Sequence, residues 1–261
     1  MSADNLSADL ALAHELADIA SKVSLGHFRR DPKHWTKSDG SIATEADVAV
    51  ETAIRARLAQ DRASDTILGE EQGAAGEGRR RWIIDAIDGT IDFQAGGPNW
   101  GTLIALEIDG RVAVGVCDEP VHKRRYFAAR GHGAFCTILP GGSGTPHRLH
   151  VSTAATLADA RSFVPPAMWL RTDRMRAVAD TVMKSTKALP HTDHPALQVA
   201  AGTSDVAFFA MAGPWDLAAP LLVVEEAGGR FTDLEGRYDW TTGTAVFSNG
   251  VLHDEFIRLV Q

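Results

Sequence analysis

Between Leu6 and Phe28 the apolar residues return every three or four positions, with Leu6, Leu10, Ala13, Leu16, Ala17, Ala20 and Val23 on one stripe. That spacing predicts a long amphipathic helix. The stretch "RRDPKHWTKSDGS" breaks the pattern with Pro32, Asp39 and Gly40, and a second helix is expected from Thr44 through "TEADVAVETAIRARLAQ". The pattern then turns strand-like. "TILGEE", "WIID", "TLIALEIDGRVAVGVCDEP" and "RRYFAARGHGAF" read as strands joined by tight turns, and Asp109-Gly110 has the dipeptide chemistry of a two-residue hairpin. The Gly- and Pro-rich segment "LPGGSGTPHR" is the expected boundary between an N-terminal α+β lobe, residues 1–145, and a C-terminal α/β lobe, residues 146–261. Beyond it, "MRAVADTVMKS", "ALQVAAGTSDVAFFA" and "WDLAAPLLVVEEAGGRF" alternate helical and strand-like periods, which predicts a second α/β layer. Pro220 is expected in a first turn or at a kink.

Composition narrows the function classes. The 261 residues are 44% hydrophobic and 23% charged, enough apolar surface for a substantial core. A net charge of -8 argues against a nucleic-acid partner, whose phosphates need a basic face. The basic runs "GRRRW" and "HKRRYF" are read as solvated turns and strand ends. Cys117 and Cys136 lack the close spacing of a zinc or redox pair and are expected as core thiols. With no leader-like N-terminus and no apolar run long enough to span a membrane, a cytoplasmic protein without a membrane partner is expected.

The candidate chemistry is acidic. Carboxylates fall where an element ends or begins: Glu70-Glu71 after "TIL", Asp85 and Asp88 after "WII", Asp47 on the second helix and Asp216 after "GPW". Asp47, three residues after Thr44, also suits a capping box, and Asp216 suits a first-turn carboxylate. The pair Asp85/Asp88 resists such an explanation, because Ile83, Ile84 and Ile87 make its surroundings apolar. Two carboxylates ~4 Å apart repel by about 4 kcal/mol at an effective dielectric near 20, so protons, cations or metal ions must neutralise them. Oxygen-only donors of this type suit Mg²⁺ better than zinc. Gly89-Thr90 adds a backbone that an anion can approach closely. A metal cluster beside an anion cradle describes phosphoryl transfer.

Four stretches in this order, "TKSDGSIATEAD" (36–47), "LGEE" (68–71), "WIIDAIDGTIDF" (82–93) and "GPWDLAAPLLVVEEAGG" (213–229), resemble the inositol monophosphatase family of magnesium-dependent, lithium-sensitive phosphatases. The resemblance implies a layered αβαβα sandwich of the inositol monophosphatase and fructose-1,6-bisphosphatase type. It also implies two or three Mg²⁺ per site: one held by Glu70, Asp85 and the Ile87 carbonyl, a second by Asp85, Asp88 and Asp216, with Glu70 positioning a third through water. Gly89 and Thr90 would donate to phosphate, and Thr90 with Asp47 would orient or deprotonate a metal-activated water. Glu70, Thr90 and Asp47 are thus the implied catalytic residues. Dimers are usual among such proteins, so a homodimer is expected. Ala86 stands where the family pattern has proline, and Asp92 where it has asparagine, which is expected to add negative charge near the metals.

Within the family the chain is most similar to the actinobacterial type of histidinol-phosphate phosphatase, through "RYFAARGHGAF", "PHRLHVS" and "SNGVLHDEF". The resemblance implies a small phosphate monoester as substrate, histidinol phosphate first. Inositol monophosphate or a sugar phosphate comes next, then a bisphosphorylated nucleotide or fructose bisphosphate. Seven positions before Asp216 the family places an acidic substrate contact; here stands Phe209. "HTDHPALQVAAG" replaces the usual Gly-Ser-Ala-Ala stretch, and within it Asp193, with His191 and His194, is the alternative polar rim for substrate.

Overall fold

The computed structural model describes residues 3–138, 144–190 and 194–261, the side chains from residue 6 onward. The N-terminal stripe forms α1 (Ala3–His27), followed by a small hairpin, β1 (His34–Thr36) with β2 (Ile42–Thr44), and by α2 (Glu45–Asp61). Both helices are where the periodicity placed them. A capping box starts α2: the Thr44 backbone N–H donates to Asp47 Oδ2 at 2.8 Å, and the Ala46 N–H donates to the Thr44 hydroxyl.

Next come β3 (Thr66–Gly69), β4 (Gly73–Ala75), β5 (Arg80–Asp88), the short α3 (Thr90–Gln94), β6 (Gly101–Ile108), β7 (Arg111–Glu119), β8 (Arg124–Ala129), β9 (Ala134–Ile138) and β10 (His147–Arg148). Their eight-stranded sheet has the order β10-β9-β8-β7-β6-β5-β3-β4 and is antiparallel except between β3 and β5. Asp109 and Gly110 both take positive φ, 52° and 78°, as the predicted β6–β7 hairpin requires. Residues 139–143, at the expected lobe boundary, lie outside the described residues.

The remaining elements are β11 (Arg161–Phe163), α4 (Asp173–Ser185), β12 (Lys187–Ala188), α5 (Pro195–Ala200), β13 (Val206–Phe209), α6 (Pro214–Glu226), β14 (Arg230–Thr232), β15 (Ala245–Ser248) and α7 (His253–Val260). The five strands pair in the order β12-β11-β13-β15-β14.

Three apolar clusters show how these pieces stack. Leu16, Ala17, Val50 and Ile54 of α1 and α2 pack on Trp82, Ile84 and Ile104 of the large sheet. The opposite face of that sheet, with Ile83, Leu103 and Cys117, packs on Leu197, Leu217 and Leu221 of α5 and α6, whose far side meets Ala207 and Phe247. Val206, Phe208 and Val246, on the other face of the small sheet, pack on Val178 and Val182 of α4 and Phe256 of α7. Alternate residues of β13 and β15 thus serve different cores, as a strand buried on both faces demands. The layers run helix, sheet, helix, sheet, helix, which is the αβαβα sandwich.

Cys117 and Cys136 are buried free thiols, as expected. The basic runs are strand-end ion pairs: Arg80 with Asp9 at 2.8 Å, Arg124 with Glu119 at 2.9 Å and Arg125 with Asp118 at 2.6 Å. Among the described residues no helix is long and apolar enough to cross a membrane. Of the two places expected for Pro220, the first turn is excluded. The proline is buried in the interior of α6, beyond the first turn, where it has no N–H to give the Asp216 carbonyl one turn earlier.

Candidate active site

Asp85 and Asp88 are three residues apart on one strand, and strict alternation would send them to opposite faces. A β-bulge prevents this. Asp85 pairs with Leu103 and Asp88 with Gly101, so three steps along β5 match two along β6. The extra residue lets Ala86 and Ile87 both enter the core beneath α1 and α2, while Asp85 and Asp88 line the same cavity on the other side.

Other elements complete the cluster from separate directions. Glu70 follows the end of β3, its N–H donating to the Ile84 carbonyl at 3.2 Å. Buried Glu51 of α2 fixes the same turn by accepting from the Glu71 N–H at 2.8 Å, while Arg55 holds it at 2.7 Å. Asp216 sits in the first turn of α6 and accepts from the Gly213 N–H at 2.6 Å. Carboxylate oxygens of Glu70, Asp85 and Asp216 lie within 4.8 Å of one another. Asp88 stands just outside that triad, its Oδ2 3.9 Å from Nε2 of His194.

The electrostatics of the triad are unfavourable without a cation. Asp85 is 1% exposed, and its Oδ1 has no hydrogen-bond partner among the described residues. Burial, then the charges of Glu70, Asp216 and Asp88, push its pKa well above the ordinary carboxylate value. Burial and the charges of Asp88 and Glu70 push Asp216 up to about 8. Burial also raises Glu70, with Lys37 opposing the shift. Lys37, in the polar stretch "TKSDG", joins the site although nothing in its local sequence marks it. Its ammonium donates to Glu70 at 2.7 Å and also to Glu71, bonds that hold its own pKa up against burial. Only proximity in the fold reveals this contact, because a lysine in a polar loop carries no distinguishing signal. A buried carboxylate oxygen without a partner, inside a set of oxygen donors, fits a hard divalent cation.

Beside the triad, Gly89 begins α3 with φ of 83°. A Cβ at that position would lie 2.6 Å from the Asn99 carbonyl oxygen, so the chain there needs glycine twice over, for its dihedral and for its space. The Thr90 hydroxyl lies 3.0 Å from the Ile87 carbonyl oxygen and 3.3 Å from Asp47 Oδ1. The Asp92 carboxylate accepts from the Asn99 N–H and closes the loop after α3; it is not among the residues lining the acidic cavity. Phe209, at the end of β13, lines the same cavity of about 640 Å³ as the acids. Asp193 and His191 lie outside the described residues.

A model of the inositol monophosphatase family matches residues 5–261. The chain belongs to that family. Two similar proteins, the histidinol-phosphatases of Streptomyces coelicolor and Mycobacterium tuberculosis, are each 42% identical to it, over 95% and 98% of both chains respectively. Among solved structures, Thermotoga maritima IMPase superposes with a TM-score of 0.82 at 29% identity, over 97% of this chain and 96% of that one. The SuhB protein of Bartonella henselae gives 0.84 at 25% identity, over 97% and 98%. As a member of the inositol monophosphatase family, the protein is a phosphoric monoester hydrolase.

Proposed function

We propose that the protein hydrolyses histidinol phosphate to histidinol with the help of Mg²⁺. The observation that carries the chemistry is the convergence of Glu70, Asp85 and Asp216 from three separate elements, with Asp88 and the Asp47–Thr90 contact alongside. The substrate assignment is supported by the two histidinol-phosphatases at 42% identity, similar over almost the entire chain.

In this reading Glu70, Asp85 and the Ile87 carbonyl would hold one Mg²⁺, and Asp85, Asp88 and Asp216 would hold another. Bound magnesium supplies Lewis acidity, lowers the pKa of a coordinated water and offsets the charge of the phosphate. The Gly89 and Thr90 backbone orients phosphate oxygens, with the close approach that a glycine permits. Asp47, kept within reach of the Thr90 hydroxyl by the capping box, withdraws the proton from the attacking water through that hydroxyl. Water then displaces the alcohol in line, and no covalent phospho-enzyme forms.

The test is phosphate release from histidinol phosphate with and without Mg²⁺, repeated with Li⁺ and with Asp85→Asn. The expected result is turnover that needs Mg²⁺, falls with Li⁺ and drops at least a hundredfold in the variant. Equal, slow release by wild type and variant from every ester overturns the enzyme reading. Mg²⁺-dependent release from other esters, with none from histidinol phosphate, overturns the substrate alone.

A further inference from the structure

The 640 Å³ cavity is lined by two unlike groups of side chains. One is the acidic cluster. The other is headed by Phe209 and continues through Phe163, Leu197, Met211 and Trp215. Phe208, one residue earlier, is fully buried in the core under α4 and α7, whereas Phe209 points to the opposite face and is only partly buried. Its ring is fixed from behind by Phe247, edge-on at 5.5 Å between centroids, and from the side by Phe163 at 6.4 Å. His194 lies beside both groups: its ring is 5.8 Å from that of Phe209, tilted 33°, and its Nε2 faces Asp88.

The mouth continues the apolar character. Ile91, Met168 and Met211 line the cavity while 43%, 62% and 43% exposed, a concentration of uncovered apolar surface that marks a binding surface. Of the polar residues lining the cavity, Asp39, Ser41 and Arg171 are engaged with one another. Asp39 accepts from the N–H and hydroxyl of Ser41, and Arg171 donates to the Asp39 carbonyl. On the inner wall Asp118 is held by Arg125, and Glu119 by Arg124. A polyol entering here would leave its hydroxyls facing rings and thioethers, which a site for hydroxyls does not do.

We infer that the alcohol part of the substrate carries a flat aromatic or heteroaromatic ring, seated against Phe209, and that Phe209 sets the preference for ring-bearing esters over polyol esters. This rests on the phosphatase reading above. The ester would place its phosphate at the carboxylates and its ring against Phe209, with His194 beside both. An offset or edge-on pairing with a fixed aromatic ring favours such a ligand over one of equal size without a ring.

The test is steady-state kinetics with Mg²⁺ on 2-phenylethyl phosphate, histidinol phosphate, inositol 1-phosphate and glycerol 1-phosphate. Wild type is expected to favour the two ring esters over the two polyol esters by about tenfold or more in kcat/KM. Phe209→Leu, which keeps apolar bulk but removes the ring, is expected to cut that ratio about fivefold, chiefly through KM of the ring esters. Phe209→Tyr should retain the ratio and guards against a result caused by disturbed folding. Polyol esters used as well as ring esters, or a ratio that Phe209→Leu leaves unchanged, would overturn the inference while leaving the phosphatase reading intact. No release from any of the four esters overturns the phosphatase reading itself, and this inference with it.

Discussion

The Thr90 hydroxyl lies 3.3 Å from one oxygen of Asp47, and the other oxygen of that carboxylate is the acceptor in the capping box of α2. One side chain therefore starts a helix and faces the reaction. Asp47→Asn separates the two duties, because an amide oxygen still accepts from the Thr44 N–H. Helix α2 should persist, with thermal stability changed by less than about 1 kcal/mol. Catalysis should suffer: kcat falls about a hundredfold or more, with KM within threefold of wild type. Kinetics and a melting curve on the same sample check both halves, and an unchanged kcat would reduce Asp47 to a helix cap.

Metal removal should expose the cost of the acidic triad. Asp85 and Asp216 have pKa values raised in the folded protein, Asp216 to about 8. Between the ordinary carboxylate value near 4 and about 8, the folded state therefore holds more protons than the unfolded state. The triad's contribution to the stability of the chelated protein should fall as pH rises through that window. Mg²⁺ at a hundred times its Kd should add about 2.7 kcal/mol, or roughly 5–10 °C in Tm for a chain of this size, and flatten the slope. Asp85→Asn should raise the stability of the chelated protein and blunt its response to Mg²⁺. Calorimetry on wild type and Asp85→Asn across pH 6.5–8, above the window in which His253 titrates, with and without the cation, decides; a chelated wild type that gains stability relative to the variant as pH rises contradicts these electrostatics.

Gly89→Ala combines two penalties, a φ of 83° and a Cβ 2.6 Å from the Asn99 carbonyl oxygen. Gly131 supplies the contrast, with a similar φ of 82° and nothing within 4 Å of its Cβ position. Gly131→Ala should cost about 1–2 kcal/mol, the price of the dihedral alone. Gly89→Ala should exceed it by at least about 1 kcal/mol and should also reduce activity more than tenfold. Denaturant melts compare the two, and equal losses would show that the Asn99 loop simply moves aside.

His253 should give the fold its acid sensitivity near pH 5. Its buried ring is held between Thr232 at 2.9 Å and Ser248 at 2.8 Å, joining α7 to β14 and β15. Burial, and then the charge of Arg230, push its pKa down to about 4. A depressed histidine contributes stability that is complete above its unfolded value of about 6.5 and is lost as pH falls towards 4, up to about 3 kcal/mol. His253→Gln should be less stable than wild type at pH 7 and should lose less between pH 6.5 and 4. Parallel slopes in the two proteins would place the acid sensitivity elsewhere.

The sequence alone determined which elements form and which side chains carry charge into apolar surroundings. Helical spacing marked α1 and α2, the Asp109-Gly110 dipeptide marked a hairpin, and the order of the acidic motifs marked the family. These signals are local, set by dihedral preference and by the cost of burying charge. The tertiary structure decided what each acid faces. Spacing places Asp85 and Asp88 on opposite faces, and the bulge against β6 reverses that. Nothing near Lys37 in the chain pointed to Glu70, or near Asp92 to the Asn99 N–H it accepts from. Side-chain direction in a strand depends on pairing with its neighbour, and the distance between loops depends on how layers stack, so both are properties of the assembled sandwich that no single segment encodes.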